Sequence, residues 1–292
     1  IYEGNETGVV AISSVSGGSA TEDGAQSVTI TITENETAPV VNLSVSSSSI
    51  TENSGSSITV TATMNFATII DTNITISTSG TALEGTDYGN VADITISAGD
   101  TTGTATFTPT DDAVYEGNET ATITMASITG ADAGSTTSQT ITITENDSTP
   151  VVTLATSATS IAENASSSLT LTATLSNATT EDVTVALSTS GTGTEGTDYS
   201  TISDITISAG ATTGTASFTP TDDTTYEGNE TGIVAIDTVS GGSANESGTP
   251  QEVTITITEN ESAPTVTLAS SASSIAENAG SSLTLTATLS VA

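Results

Sequence analysis

The sequence predicts an all-β protein made of tandem sandwich domains, and three observations lead to this fold class. Short segments alternate apolar residues with Thr or Ser, the pattern of strands that have one buried and one solvated face. No segment of the 292 residues has helical periodicity. The segment Tyr-Glu-Gly-Asn-Glu-Thr begins at Tyr2, Tyr115 and Tyr226, so the chain repeats about every 111 residues, which is the length of a whole domain.

Seven strands are expected in one complete repeat. Ile58–Met64 is a clear example, because Thr occupies every second position. Clusters of Gly and Ser, such as residues 97–100, supply turns between strands. Seven short strands in about 110 residues are typical of a Greek-key sandwich with an immunoglobulin-like architecture. In chain order, the alternating segments place them near 40–45, 57–64, 73–78, 92–97, 103–109, 119–128 and 138–145.

Pro39, Pro150 and Pro264 occupy the same register and mark the predicted domain boundaries. Each proline restricts its own backbone and that of the preceding residue, so the short linkers are expected to be stiff. We expect the chain to be a window from a longer array. The predicted organisation is the C-terminal part of a repeat in 1–38, complete repeats in 39–149 and 150–263, and the N-terminal part of a further repeat in 264–292.

The charge of the chain is entirely negative. It has 35 Asp and Glu, no Lys, Arg or His, and a formal net charge of -35. Without cationic side chains it cannot neutralise nucleic-acid phosphates, so we expect no nucleic-acid partner. No apolar stretch approaches the roughly 18 residues that span a bilayer, so we expect no membrane insertion in this segment. Acidic chains with few aromatic residues are often disordered, but the strict alternation argues against that alternative.

Four acidic motifs recur in each complete repeat, at strand ends or in loops. A seven-stranded sandwich gathers alternate loops at one end, where these carboxylates would repel each other without a cation. Calcium takes six to eight oxygen ligands, whereas zinc and copper favour His or Cys, which are absent here. Magnesium is an alternative, although it holds fewer carboxylates. The sequence therefore predicts Ca²⁺ at Glu52, Asp87, Asp111, Asp112, Glu116, Glu119, Glu145 and Asp147, and at Glu163, Asp198, Asp222, Asp223, Glu227, Glu230, Glu259 and Glu261.

The order of these motifs resembles the Calx-beta domain family. Gly-Thr-Asp-Tyr begins at Gly85, a Phe-Thr-Pro-Thr-Asp-Asp segment begins at Phe107, and Thr-Ile-Thr-Glu-Asn-Asp closes the repeat at Asp147. The family occurs in sodium–calcium exchangers, integrin β4 and large bacterial surface proteins. The resemblance implies a seven-stranded sandwich that binds calcium at one tip, through the carboxylates just named. The closing position is Glu36 or Glu261 elsewhere, and this departure implies fewer or weaker ions.

Two function classes follow from this interpretation. The first is the shaft of a calcium-stiffened extracellular adhesin or surface filament, on a bacterium, with neighbouring repeats and identical chains of a fibre as its partners. The alternative is a calcium-dependent module that binds a glycan or a protein. An enzyme is not expected, because only a carboxylate pair could act and the motif recurs in every repeat. The acids could also be solvated turn residues or a halophilic surface, and the Thr ladders could suggest ice binding.

Overall fold

The computed structural model describes residues 2–249 and 251–290, and over this range the chain forms strands and turns without any helix. The all-β prediction is confirmed. Ile1, Pro250, Val291 and Ala292, which belong to the predicted segments 1–38, 150–263 and 264–292, lie outside the described residues. Because it has no helix, the described part of the chain contains no helical segment that could cross a membrane.

The chain divides into two compact units. The first runs to Asp112 and includes residues 117–146, and the second combines residues 113–116 with the chain from Asp147 onward. In chain order, the first half of the strands are β1 (Glu6–Ala11), β2 (Ser27–Ile32), β3 (Val40–Val45), β4 (Ser49–Thr51), β5 (Ile58–Met64), β6 (Thr72–Gly80), β7 (Ile94–Ile96), β8 (Thr102–Phe107), β9 (Val114–Tyr115), β10 (Glu119–Thr129), β11 (Asp132–Ala133) and β12 (Ser138–Thr144).

The strands of the second half repeat this series. They are β13 (Val151–Thr156), β14 (Ser160–Ala162), β15 (Leu169–Leu175), β16 (Ala178–Thr179), β17 (Val183–Gly191), β18 (Ile205–Ile207), β19 (Thr213–Phe218), β20 (Glu230–Ser240), β21 (Asn245–Glu246), β22 (Glu252–Thr258), β23 (Val266–Ser270) and β24 (Leu285–Leu289).

The first unit contains a sandwich of two sheets. One sheet has the order β4-β12-β10-β6-β7 and the other has the order β11-β3-β5-β8. Their facing side chains form a single core, in which Tyr88 stacks on Phe107 with ring centroids 4.6 Å apart. A strand lies at each of the seven positions that the sequence indicates, and β4, β9 and β11 are additional. These three are two or three residues long, too short for an alternating pattern to reveal them.

The second unit contains the same sandwich, with sheets ordered β14-β22-β20-β17-β18 and β19-β15-β13-β21. Tyr199 stacks on Phe218 at 4.6 Å, as in the first core. Gly191 ends β17 with φ of +119°, and a Cβ there would lie 2.1 Å from the carbonyl oxygen of Thr231, so only glycine fits this close approach. In this unit β9 also pairs in parallel with β16.

Two further hairpins stand apart from these cores. Strand β1 pairs with β2 in the first unit, and β23 pairs with β24 in the second. All residues of these four strands are exposed. Both hairpins thus have regular strand pairing, and within residues 2–249 and 251–290 no second sheet packs against the apolar face of either.

Candidate metal centre

Three glutamates meet at the end of two neighbouring strands in the second repeat. Glu163 follows β14, and Glu259 and Glu261 follow β22. The two strands run parallel, and the amide of Glu163 donates to the carbonyl of Thr258 at 3.0 Å. The residues that follow the two strands therefore lie at the same end of the sheet. One carboxylate oxygen from each glutamate lies within 4.8 Å of the others. This group is named the buried triad, because Glu163 is only 8% exposed.

A second group, the loop triad, consists of Asp198, Glu227 and Glu230, whose carboxylate oxygens also lie within 4.8 Å of one another. Asp198 is held by a tight turn, in which its Oδ2 accepts from the amide of Thr194 at 2.6 Å and its own amide donates to the Thr194 carbonyl at 2.9 Å. Glu230 is the first residue of β20, and Glu227 precedes it in the same loop. Local backbone geometry therefore sets this triad.

Glu259 connects the two triads through its carboxylate. Its Oε2 accepts from the amides of Glu227 at 2.7 Å and Gly228 at 2.8 Å, and its Oε1 accepts from the amides of Asn260 and Glu261, both at 2.9 Å. The hydrogen bonds from the backbone of Glu261 and Glu227 lower the pKa of Glu259 to about 2. This carboxylate remains charged at neutral pH and forms a fixed anionic centre.

The pKa values of the surrounding acids shift in the opposite direction and are raised. Burial, together with the charges of Glu259 and Glu261, raises the pKa of Glu163 to about 7. The pKa of Glu261 is raised mainly because its side chain shares a hydrogen bond with Glu259. Burial and the neighbouring charge of Asp198 also raise the pKa values of Glu227 and Glu230. Such shifts mark carboxylates that are crowded without a cation to offset them.

The first repeat contains the equivalent residues in the same groups. Glu52, Glu145 and Asp147 correspond to the buried triad, and Asp87, Glu116 and Glu119 correspond to the loop triad, with oxygens again within 4.8 Å. The Oε2 of Glu145 accepts from the amide of Gly117 at 2.9 Å. Burial raises the pKa of Glu52. The recurrence of both triads shows that the arrangement comes from the repeat motif itself.

The adjacent aspartates lie outside the triads. The amide of Asp223 donates to Glu163 at 3.4 Å, and that of Asp112 donates to Glu52 at 3.2 Å, so these loops contact the buried glutamates through the backbone. The charges of Asp222 and Asp223 act on the triads, raising the pKa values of Glu261 and Glu227 respectively. Asp111 accepts from Asn146 at 3.4 Å. Direct ligation by these four aspartates stays a prediction.

One contributor to the site was missed by the sequence reasoning. The Oδ1 of Asn229 accepts from the amide of Glu259 at 3.1 Å, and Asn118 accepts from Glu145 at 2.9 Å in the same way. These asparagines orient the central glutamate of each buried triad. The available signal was the recurrence of Asn5, Asn118 and Asn229 in the Gly-Asn-Glu motif, although the sequence interpretation assigned ligand roles only to charged residues.

The donor chemistry of the triads suits a hard cation. Every side chain in them is a carboxylate, and oxygen donors in loosely constrained geometry are what Ca²⁺ prefers. The Oε2 of Glu261 is buried and has no hydrogen-bond partner among the described residues, which is a costly state for a carboxylate oxygen in the absence of a cation. The residues present therefore fit a calcium ion.

The family model of the Calx-beta domain matches residues 34–147 and 145–261. The chain belongs to the Calx-beta family. The resemblance expected from the motifs is thereby confirmed, with two domains in tandem. The matching family is not an enzyme family. No protein of curated function matches the sequence.

Several solved structures resemble these Calx-beta repeats. The crystal structure of CBD12 from CALX1.2 is 16% identical, covers 74% of this chain and 99% of its own, and has a TM-score of 0.34. The adhesin InvE of Yersinia pseudotuberculosis is 15% identical over 75% of this chain and 60% of its own, with a TM-score of 0.34. Invasin, a bacterial integrin-binding protein, is 17% identical over 85% of this chain and 46% of its own, with a TM-score of 0.29.

Proposed function

We propose that this chain is part of the shaft of a calcium-stiffened adhesin or surface filament, located outside a bacterial cell. The observation that carries this proposal is the pair of carboxylate triads that recurs in each complete repeat of a chain without Lys, Arg or His. A scaffold that uses the same ion in every repeat gains stability along its length. A catalytic or recognition site would more commonly be present once.

Calcium would act by neutralising charge that the fold concentrates. The buried triad and the loop triad share the backbone contacts of Glu259, so ions bound there would link β14, β20, β22 and the loop of Asp198. Unfolding separates these carboxylates, which makes binding specific to the folded state. Binding to the native state alone stabilises it by roughly 2.7 kcal/mol when calcium is 100 times the Kd.

Calcium titration of the chain tests whether the triads bind Ca²⁺. Glu259→Gln removes the central charge of the buried triad, whose carboxylate also accepts from the amide of Glu227 in the loop triad. We expect it to weaken calcium binding at least tenfold, equivalent to about 1.4 kcal/mol. Glu252→Gln is the matched control, because Glu252 is an exposed acid on the same strand, β22, and belongs to neither triad. Equal affinities for the two variants and the unmodified chain would refute the assignment.

The shaft role needs a separate measurement. Small-angle scattering of the 292-residue chain with calcium and with chelator would report its extension and its spread of conformations. We expect calcium to narrow the distribution of chain conformations. Without a bound ion, carboxylates at the repeat ends repel each other within a Debye length of about 8 Å. Identical profiles would leave calcium as a stabiliser of single repeats and would remove the stiffening role.

A further inference from the structure

One glutamate in each complete repeat lies close in sequence to the loop triad without belonging to it. Glu195 stands three residues before Asp198, and Glu84 stands three residues before Asp87, in the recurring Glu-Gly-Thr-Asp-Tyr segment. In the part of the chain that the structure describes, neither glutamate is a member of a carboxylate triad. The position of this acid in the motif therefore calls for a role other than direct contact with an ion.

Both carboxylate oxygens of Glu195 accept hydrogen bonds from the protein. The Oε2 accepts from the hydroxyl of Thr189 at 2.7 Å, and the Oε1 accepts from the amide of Ile202 at 2.7 Å. Thr189 lies near the end of β17, whereas Ile202 lies in the loop that leads into the neighbouring strand β18. The carboxylate thus joins a strand to a loop, and this pair of contacts is named the glutamate clamp.

The glutamate clamp holds the turn that presents Asp198. Within this turn the amide of Thr194 donates to the Oδ2 of Asp198 at 2.6 Å, and the amide of Gly196 donates to the carbonyl of Tyr199 at 2.7 Å. Glu195 lies inside the same turn, between the residues that make these bonds. Anchoring its side chain outside the turn therefore restricts the backbone that carries the Asp198 carboxylate.

Tyr199 anchors the other side of Asp198. Its side chain is 1% exposed and stacks on Phe218 in the core. It also shares a hydrogen bond with Thr189, the residue whose hydroxyl donates to Glu195. Asp198 is consequently held between two anchored neighbours that meet at one threonine.

The first repeat has the same glutamate clamp. The Oε2 of Glu84 accepts from the hydroxyl of Thr78 at 2.7 Å, and the Oε1 accepts from the amide of Val91 at 3.0 Å. The Oδ2 of Asp87 again accepts from the amide four residues earlier, that of Leu83, at 2.6 Å. Both complete repeats therefore combine the clamp with the turn that carries a triad aspartate.

We propose that Glu195 and Glu84 are positioning residues for calcium, which hold Asp198 and Asp87 in place before the ion binds. The proposal rests on the calcium site proposed above and adds residues that act through the backbone rather than as ligands. A site with fixed ligands binds more tightly, because less conformational entropy is lost on binding. Removing such outer-shell hydrogen bonds typically weakens metal binding about 10–100-fold.

Calcium titration of the full chain tests the proposal when each substitution is made in both repeats. Glu84→Ala with Glu195→Ala should weaken calcium binding about 10–100-fold. Glu84→Gln with Glu195→Gln should weaken it less than about fivefold, because the lost charge is screened by solvent. The Gln side chain restores the clamp, since its oxygen accepts from the backbone amide and its nitrogen donates to the threonine hydroxyl.

Asp71 and Asp182 supply the matched control. The Oδ1 of Asp182 accepts from the amide of Ala209 at 2.8 Å, and that of Asp71 accepts from Ala98 at 2.9 Å. These acids also hold loop amides, but Asp182 precedes β17, at the end opposite Thr189, and neither belongs to a triad. Asp71→Ala with Asp182→Ala should lower the free energy of unfolding in chelator and change calcium affinity by less than about fivefold.

Hydrogen exchange in chelator measures the positioning without the ion. The amide of Thr194 donates to Asp198, so its exchange is slow while the turn is closed. Glu195→Ala should speed this exchange, whereas Asp182→Ala should leave it unchanged. Thr189→Val removes one contact of the clamp without removing an acid, and it should speed the exchange as well.

Four results would overturn the positioning role. They are unchanged calcium affinity in the glutamate-to-alanine pair, equal losses of affinity in the Ala and Gln pairs, an equal loss in the aspartate control, and unchanged exchange of the Thr194 amide in both Glu195→Ala and Thr189→Val. Failure of the unmodified chain to bind calcium would instead refute the proposed function and, with it, this inference. The two failures are therefore distinguishable.

Discussion

The β20–β22 pair of the second repeat and the terminal β1–β2 hairpin have nearly the same sequence but different surroundings. Their registers agree, because Glu230 faces Ile257 in one and Glu6 faces Ile32 in the other. Their burial differs, since Ile255 is 0% exposed and its equivalent Ile30 is 52% exposed. The comparison teaches that alternation is sufficient to define a strand and its register, whereas burial requires the second sheet.

The acidic site also has a local part, present in both regions, and a part that only the complete sandwich supplies. The backbone contact around the central glutamate forms in both regions, because Glu34 and Glu259 each accept from the two amides of a Glu-Gly pair. A third carboxylate arrives only in the complete repeat, where Glu163 comes from a strand about 90 residues earlier in the sequence. The local motif therefore builds part of the site, and the sandwich completes it.

The largest difference between the two regions should appear when the core residue is truncated. Ile255→Ala leaves a cavity between two sheets and should lower the free energy of unfolding by about 2–5 kcal/mol. Ile30→Ala should change it by less than about 0.5 kcal/mol in the dilute chain, because no cavity forms on an exposed face. Urea denaturation of both variants measures the change in the free energy of unfolding. Equal losses of that free energy would show that the hairpin is packed in solution.

Calcium should give the next largest effect. With calcium at 100 times its Kd, we expect the complete repeats to gain roughly 2.7 kcal/mol of stability over the chelator-treated chain. The terminal hairpins should show no comparable gain in dilute solution, because each has an incomplete triad. Calorimetry with calcium and with chelator measures the repeats, and hydrogen exchange reports the hairpins separately. Coincident melting curves would contradict the metal centre.

Two substitutions that each remove one charge compare the incomplete acidic group beside β2 with the complete buried triad of the second repeat. Glu259→Gln should remove about 1.4 kcal/mol or more of calcium-dependent stability, which corresponds to a tenfold loss of affinity. Glu34→Gln should have no measurable effect on the calcium-dependent melting of the dilute chain, because Glu34 lies in a terminal hairpin. Melting curves at matched calcium concentrations decide the question. A similar loss for Glu34→Gln would mean that the hairpin binds the ion alone.

The smallest effect should be a pH dependence in chelator. The folded-state pKa of Glu163 is about 7 and lies above its unfolded value, so the native state binds the proton more tightly. Stability should therefore fall as pH rises from about 4.5 to about 7, by only part of the full linkage value because protonation of the neighbouring carboxylates relieves the same repulsion. Glu163→Gln should reduce this slope in thermal melts, and Glu252→Gln, on the exposed face of β22, should not. An unchanged slope in Glu163→Gln would exclude Glu163 as its source.

The glutamates of the buried triad illustrate how far sequence reasoning reached. Their recurrence at Glu52 and Glu163, and again after each closing strand, follows from the period alone. The choice of an oxygen-binding cation follows from the absence of His and Cys. The grouping into two triads was not, because it depends on which strand ends lie side by side. The parallel pairing of β14 with β22 decides that grouping, and β14 is only three residues long.

The sequence by itself determined the all-β class, the repeat, the strand positions and the acidic composition of the site, because alternation and recurrence are local properties of the chain. The tertiary structure alone decided which carboxylates share a triad, that Glu259 receives four backbone amides, and that the adjacent aspartates stand beside the triads. The physical reason is that burial and charge proximity depend on distances between segments far apart in sequence.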